Sequence, residues 1–216
     1  CSKSAVFPIA NANAPTLSIV VTDVDCNGNN NGELDLTVSG TSSYTVDWDI
    51  DGVGDNDDVE DLSGLGPGTY SVIINDLSTG CVAALSEDVN EPDTIGITDI
   101  NTHVTCFGLG NGSSIISLSG GTGSLVPSWS IINAGSGLIV SDTSQYTLSG
   151  GEYKIVVIDD NSCKNSINII INEPDTILSN GVVTDVSCFG YSDGEINVIL
   201  SGGSPVLNYN WTSSVI

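Results

Sequence analysis

An all-β array of small sandwich repeats is the fold class this sequence predicts, and three observations carry it. The first is a period. Glu91-Pro92-Asp93-Thr94-Ile95 returns as Glu173-Pro174-Asp175-Thr176-Ile177, 82 residues on. Trp48, Trp129 and Trp211 fall 81 and 82 residues apart; Cys26, Cys106 and Cys188, like Cys1, Cys81 and Cys163, fall 80 and 82 apart. The same residue types at one fixed phase mark a tandem array of one domain. The second is composition: Gly is 25, Met is absent, charged residues are 14%, and no stretch reads as helix. Val, Ile, Thr, Ser and Leu dominate, as in strands. The third is punctuation, short β-branched runs bounded by clusters of Gly, Asn, Asp and Ser.

The period divides the chain. Residues 16–92 and 93–174 read as complete repeats, 175–216 as the first half of another, and 1–15 as the tail of an earlier one. Both ends are therefore expected to fall inside domains. Each repeat of about 80 residues has room for roughly seven short strands, an immunoglobulin-like β-sandwich somewhat under the usual ~100 residues.

The second repeat gives the order of elements. Residues 97–106 are a first strand and 107–112, Phe-Gly-Leu-Gly-Asn-Gly, a glycine-rich turn. A second strand follows at 114–118, closed by Ser119-Gly120-Gly121, and a third, carrying Trp129, at 128–132. Weaker strands are read at 138–140 and 145–148, and a strongly alternating one at 153–158. Asp159-Asp160-Asn161-Ser162 makes a hairpin turn into the last strand, 163–171. The Trp and Tyr residues that recur in phase belong to the core rather than to a ligand platform.

Charge narrows the function classes. With 27 acidic residues against 3 basic ones, net charge is −24. Nothing could neutralise phosphates, so nucleic acid is excluded as a partner. Anionic membrane surfaces are disfavoured equally, while divalent cations are favoured. No apolar run approaches the ~18 residues of a membrane span, so no membrane insertion is expected. One histidine, no G-x-S-x-G and no Cys/His nucleophile pair argue against an enzyme.

Phrases spread over the whole chain resemble the SprB-type repeat of gliding-motility adhesins from gliding Bacteroidetes. They are Val183-Thr184-Asp185-Val186-Ser187-Cys188-Phe189-Gly190-Tyr191-Ser192-Asp193-Gly194-Glu195-Ile196, then Leu200-Ser201-Gly202-Gly203 and Tyr209-Asn210-Trp211. Leu62-Ser63-Gly64-Leu65-Gly66-Pro67-Gly68-Thr69-Tyr70 and Asp159-Asp160-Asn161-Ser162-Cys163 complete them. The resemblance implies a large extracellular protein, exported by the type IX secretion system and attached at the outer membrane. Its partners would be gliding or secretion machinery, neighbouring repeats, and an extracellular surface or polysaccharide. The alternative is a carbohydrate-binding or spacer module array within a secreted multidomain enzyme, which would need exposed aromatics on a sheet face.

Three candidate sites follow. Residues 47–58, Asp-Trp-Asp-Ile-Asp-Gly-Val-Gly-Asp-Asn-Asp-Asp, fit a twelve-position calcium loop. Asp47, Asp49 and Asp51 take positions 1, 3 and 5, Gly52 makes the sharp turn, Val53 offers its carbonyl, and Asp55 and Asp58 fill positions 9 and 12. The loop resembles those of thrombospondin type 3 and dockerin repeats, and the corresponding segments of the other repeats lack its carboxylates. Second, six cysteines at fixed phases suggest disulfides and an oxidising compartment. Pairing within repeats, Cys26–Cys81 and Cys106–Cys163, competes with pairing across junctions at a constant separation of 25. The within-repeat scheme is favoured, because two extended strands in line would hold junction cysteines too far apart. Third, Thr94 and Thr176 sit in Asp-Thr-Ile segments. These resemble the Asp-Ser/Thr-apolar O-glycosylation motif of secreted Bacteroidetes proteins.

Overall fold

The computed structural model describes residues 14–48, 58–138, 142–204 and 206–212. The chain divides into two compact units, Cys1–Thr94 with Gly120–Thr122 and Ile95–Ser119 with Gly123–Ile216.

In the first unit the strands are β1 (Thr16–Thr22), β2 (Gly32–Ser39), β3 (Tyr44–Trp48), β4 (Leu62–Leu65), β5 (Gly68–Asp76) and β6 (Val82–Val89). They pair antiparallel into two sheets, β1-β2-β4 and β3-β5-β6. In immunoglobulin lettering these are A-B-E and C-F-G, so the topology itself makes the fold immunoglobulin-like. Period-2 patterning drives it. Along β2, Leu34 and Leu36 turn inward while Glu33 and Asp35 face water. They meet Val46, Trp48, Val72 and Ile74 of the other sheet in one core.

Two polar anchors hold that core in register. Trp48 is wholly buried and its indole N–H donates to the Val59 carbonyl at 3.1 Å. Tyr70, near the start of β5, donates its hydroxyl to the Gly66 carbonyl at 3.0 Å. That is the tyrosine corner of immunoglobulin-type sandwiches. Two residues on, where antibody domains carry a cysteine of the inter-sheet disulfide, stands Val72, with no exposed surface.

The second unit repeats the plan. Strands β7 (Gly96–Thr102), β8 (Gly112–Ser119), β9 (Val126–Asn133), β10 (Ser144–Leu148), β11 (Gly151–Ile158) and β12 (Lys164–Ile171) form sheets ordered β10-β8-β7 and β12-β11-β9. Trp129 donates its indole N–H to the Asp142 carbonyl at 2.7 Å. Tyr153 lies 2.9 Å from the Ser149 carbonyl and 3.0 Å from that of Ser136. Its ring leaves no space for a side chain at Gly135, where an added Cβ would come within 2.5 Å. The weak strand expected at 138–140 does not form at Leu138, which is irregular; residues 139–141 lie outside the described residues. Gly135, Ser136 and Gly137 precede it and loop over the tyrosine hydroxyl instead of extending.

One cross-strand core pair is apolar in the first copy and polar in the second. Leu34 faces Leu62 across β2 and β4, whereas Ser114 faces Gln145 across β8 and β10, both with no exposed surface. The Ser114 hydroxyl has no hydrogen-bond partner in the structure. A buried unpaired hydroxyl costs stability that the Leu–Leu pair does not.

Strands β13 (Leu178–Thr184) and β14 (Glu195–Ser201) form a two-stranded sheet, the A–B hairpin of a third copy. Its inward-facing side chains are uncovered: Ile196 is 56% exposed and Val186 48%, whereas Leu34 and Val24 at the same phases of the first copy are buried. Among the described residues this copy has no second sheet of the kind that buries those counterparts.

Candidate functional site

Each repeat has two poles. At one lies the A–B turn. In the first unit the Cys26 carbonyl accepts from the Asn29 N–H at 3.0 Å, and the Asp25 N–H donates to Asn31 Oδ1 at 3.2 Å. Leu109 and Cys106 repeat the first contact at 3.1 Å, and Thr105 and Asn111 the second at 3.0 Å. Tyr191 with Cys188, and Ser187 with Asp193, do so again at 3.1 and 3.0 Å. The glycine inside the turn has a positive φ each time, 80° at Gly28, 74° at Gly108 and 86° at Gly190. Only glycine adopts this conformation without steric cost.

A glutamate locks this turn to the end of the last strand. Glu91 Oε2 accepts the Gly28 N–H at 2.7 Å. Glu173 accepts the Gly108 N–H at 2.5 Å and the Gly150 N–H at 2.9 Å. These bonds, Gly108 first, hold the Glu173 carboxyl below its ordinary range. The sequence shows the Glu-Pro pair only as a junction marker. Its similar distance from the glycine turn, 63 and 65 residues, was the available signal for the lock.

At the opposite pole the F–G turn is organised by a buried aspartate. Asp76 accepts from the Ser78 N–H, the Ser78 hydroxyl and the Thr79 hydroxyl at 2.8, 2.6 and 2.7 Å. Those bonds, led by the Ser78 side chain, hold its carboxyl far below the usual range. Asp159 likewise accepts the Cys163 N–H at 2.8 Å.

The poles correct the expected disulfides. Cys26 and Cys163 are disulfide-bonded, but Cys81, Cys106 and Cys188 are free thiols. Neither Cys26–Cys81 nor Cys106–Cys163 forms. Cys26 sits beside the turn that Glu91 locks, at the far end of β6 from Cys81. Eight strand residues separate the two poles by about 25 Å, against the ~5.5 Å between Cα atoms that a disulfide allows. The in-line strands that argued against junction pairing said nothing of which pole each cysteine occupies, and a strand length separates the within-repeat pair as well.

The acidic loop joins β3 to β4. Asp49, Asp51, Val53 and Asp55 lie outside the described residues; Asp47 and Asp58 stand at its neck. The Asp58 N–H donates to the Val46 carbonyl at 3.1 Å, and Asp58 Oδ2 accepts the Trp48 N–H at 2.6 Å. Positions 1 and 12 of the loop are thus brought together, with one Asp58 oxygen engaged. Thr94 and Thr176 are exposed, in residues without regular secondary structure, and the Thr94 hydroxyl donates to Asn27 Oδ1 at 2.8 Å.

The SprB repeat family model matches residues 18–49 and 180–215, the A-to-C segments of two copies. No curated protein matches the chain. Among solved structures, three immunoglobulin domains of titin, I67–I69, are similar at 13% identity and TM-score 0.42, over 91% of this chain and 78% of that one. The C-terminal 282-residue fragment of intimin, crystallised with the intimin-binding domain of its translocated receptor, gives 16% and 0.38, over 74% and 67%. The eight N-terminal immunoglobulin domains of Down syndrome cell adhesion molecule give 12% and 0.41, over 74% and 25%.

Proposed function

Because this chain carries SprB-type repeats, we propose that it is a stalk segment of a large cell-surface adhesin, carried at the outer membrane and used in adhesion and gliding. The observation that supports this most directly is one sandwich plan recurring at one phase, with the same locked turn at the same pole of both complete copies. Such repeats serve reach and surface display. Trp48 and Trp129 are buried, as is Tyr153, so they offer no stacking platform for a sugar. Deleting the repeat region in the native host should abolish attachment to glass and gliding while secretion of the remainder persists. Unimpaired attachment, with binding to a defined polysaccharide, would favour the carbohydrate-binding alternative.

Calcium fits the first repeat. Asp47, Asp49, Asp51, Asp55 and Asp58 with the Val53 carbonyl would hold it, a hard-oxygen set on one closed neck. The bound ion would supply charge neutralisation and fix the β3–β4 connection. Millimolar calcium should raise the melting temperature of the first unit by mass action. Asp51→Ala should remove that gain and leave the calcium-free melt unchanged; no calcium-dependent shift in the unaltered protein would refute the site.

O-glycans on Thr94 and Thr176 belong to the same reading, since a glycan at each junction would shield it from proteases. Protein from the native host should exceed its polypeptide mass, and each Thr→Ala change should remove one glycan. A bare mass would sink the idea.

A further inference from the structure

Cys106 lies exposed at the A–B pole of the second repeat, in a groove of about 620 Å³. Phe107 lines it from the same turn, Thr176 and Ile177 from the junction, and Val206 and Tyr209 from the third copy. The third copy already touches this pole: the Ser204 hydroxyl donates to the Thr105 carbonyl at 3.2 Å.

We propose that this groove seats the F–G turn of the repeat that β13 and β14 open, and that Cys106 forms a disulfide with the cysteine of that turn. The second repeat shows where an F–G turn sits. Asp160, between β11 and β12, accepts the Ser124 N–H at 3.0 Å, so the turn rests on its own B–C loop. One period later, 82 residues on, Ser124 becomes Val206, a wall of the groove that holds Cys106. The F–G turn of the third copy, resting on its own B–C loop in the same way, is thereby delivered to Cys106. Its cysteine would come with it, since Cys81 and Cys163 both close such turns behind a buried aspartate.

A second observation points to the same pair of positions. Among the described residues the oxidised cysteines are one of each class, Cys26 in an A–B turn and Cys163 in an F–G turn. Neither is joined to the other cysteine of its own repeat, because Cys81 and Cys106 are free. Each complete repeat therefore carries one cysteine at each pole, and the bonds of Cys26 and Cys163 are not made within their own repeats. The reaction is thiol–disulfide exchange with a disulfide oxidant, protein or small-molecule, of the exported compartment. One thiolate attacks the oxidant's disulfide to give a mixed disulfide, and the second displaces the oxidant's remaining sulfur. The two thiols lose two protons and two electrons, and the oxidant leaves as two thiols.

Non-reducing peptide mapping of the protein secreted by its native host, alkylated at harvest and cut with an Asp-specific protease, tests this. The Cys106 peptide should be recovered joined to a peptide from the F–G turn of the repeat begun at Asp175. The chain ending at Ile216 should yield Cys106 alkylated. Recovery of Cys106 as an alkylated thiol from the native protein would overturn the proposal. So would a bond from Cys106 to Cys163, Cys81 or any A–B-turn cysteine in either protein.

Discussion

Trp48→Ala should destabilise the first unit by about 3–5 kcal/mol, the cost of deleting a large aromatic from a core that cannot collapse around the gap. Trp48 has no exposed surface and packs among residues of both sheets. Its loss also leaves the Val59 carbonyl without its donor. Single domains of this size have only about 5–15 kcal/mol in total, so the unit should be partly or wholly unfolded at 37 °C. Trp48→Phe keeps much of the apolar volume and loses the indole N–H, and should cost less than half as much. Urea denaturation followed by circular dichroism resolves both variants. The second unit carries its own tryptophan and should melt unchanged. A loss below ~1 kcal/mol for the alanine variant would show that the indole does not hold the two sheets together.

Glu173→Ala should lower the melting temperature of the second unit by several degrees at neutral pH, because one carboxylate ties two separate turns to the end of β12. Without it the Gly108 and Gly150 N–H groups lose their acceptor. The effect has a defined pH dependence. The folded carboxyl titrates below its ordinary value of 4.5, because the charged form accepts both bonds. A depressed folded value means that the unfolded chain binds the proton more readily, so the stabilisation is complete above pH 4.5 and is lost as the pH falls through the folded value. The wild type and the variant should therefore differ most at neutral pH and converge in strong acid. Glu173→Gln, which keeps one acceptor oxygen, should fall between them at neutral pH and show a shallower slope. Parallel melting curves across the whole pH range would mean that the carboxylate is not the lock.

Much of the molecule was legible in the sequence because it depends on local pattern. Alternation in Gly32–Ser39 and Gly151–Ile158 marks one face for burial, and the 82-residue recurrence of Glu-Pro-Asp-Thr-Ile marks the repeat. Trp48, Trp129 and Tyr153 were readable as core because an aromatic kept at one phase of a sandwich repeat has a fixed slot to fill; Trp211, at the same phase of the copy whose second sheet is not among the described residues, is 57% exposed. The weak strand at Leu138 was misread for the same reason in reverse: a short apolar run has no partner of its own, and here Tyr153 claims the loop before it.

What the sequence by itself determined is the fold class, the period and the identity of the core. Each follows from which side chains alternate and recur, and that information is local along the chain. Only the tertiary structure decided which groups meet. It put Glu173 on Gly108, 65 residues away, and set Cys26 and Cys81 at opposite ends of one sandwich. The physical reason is that a strand reverses direction at every turn. Two residues at similar separations in sequence can then share a pole or stand a full strand length apart, according to the number and order of the strands between them. Sequence spacing fixes the length of that path and leaves its end point to the topology.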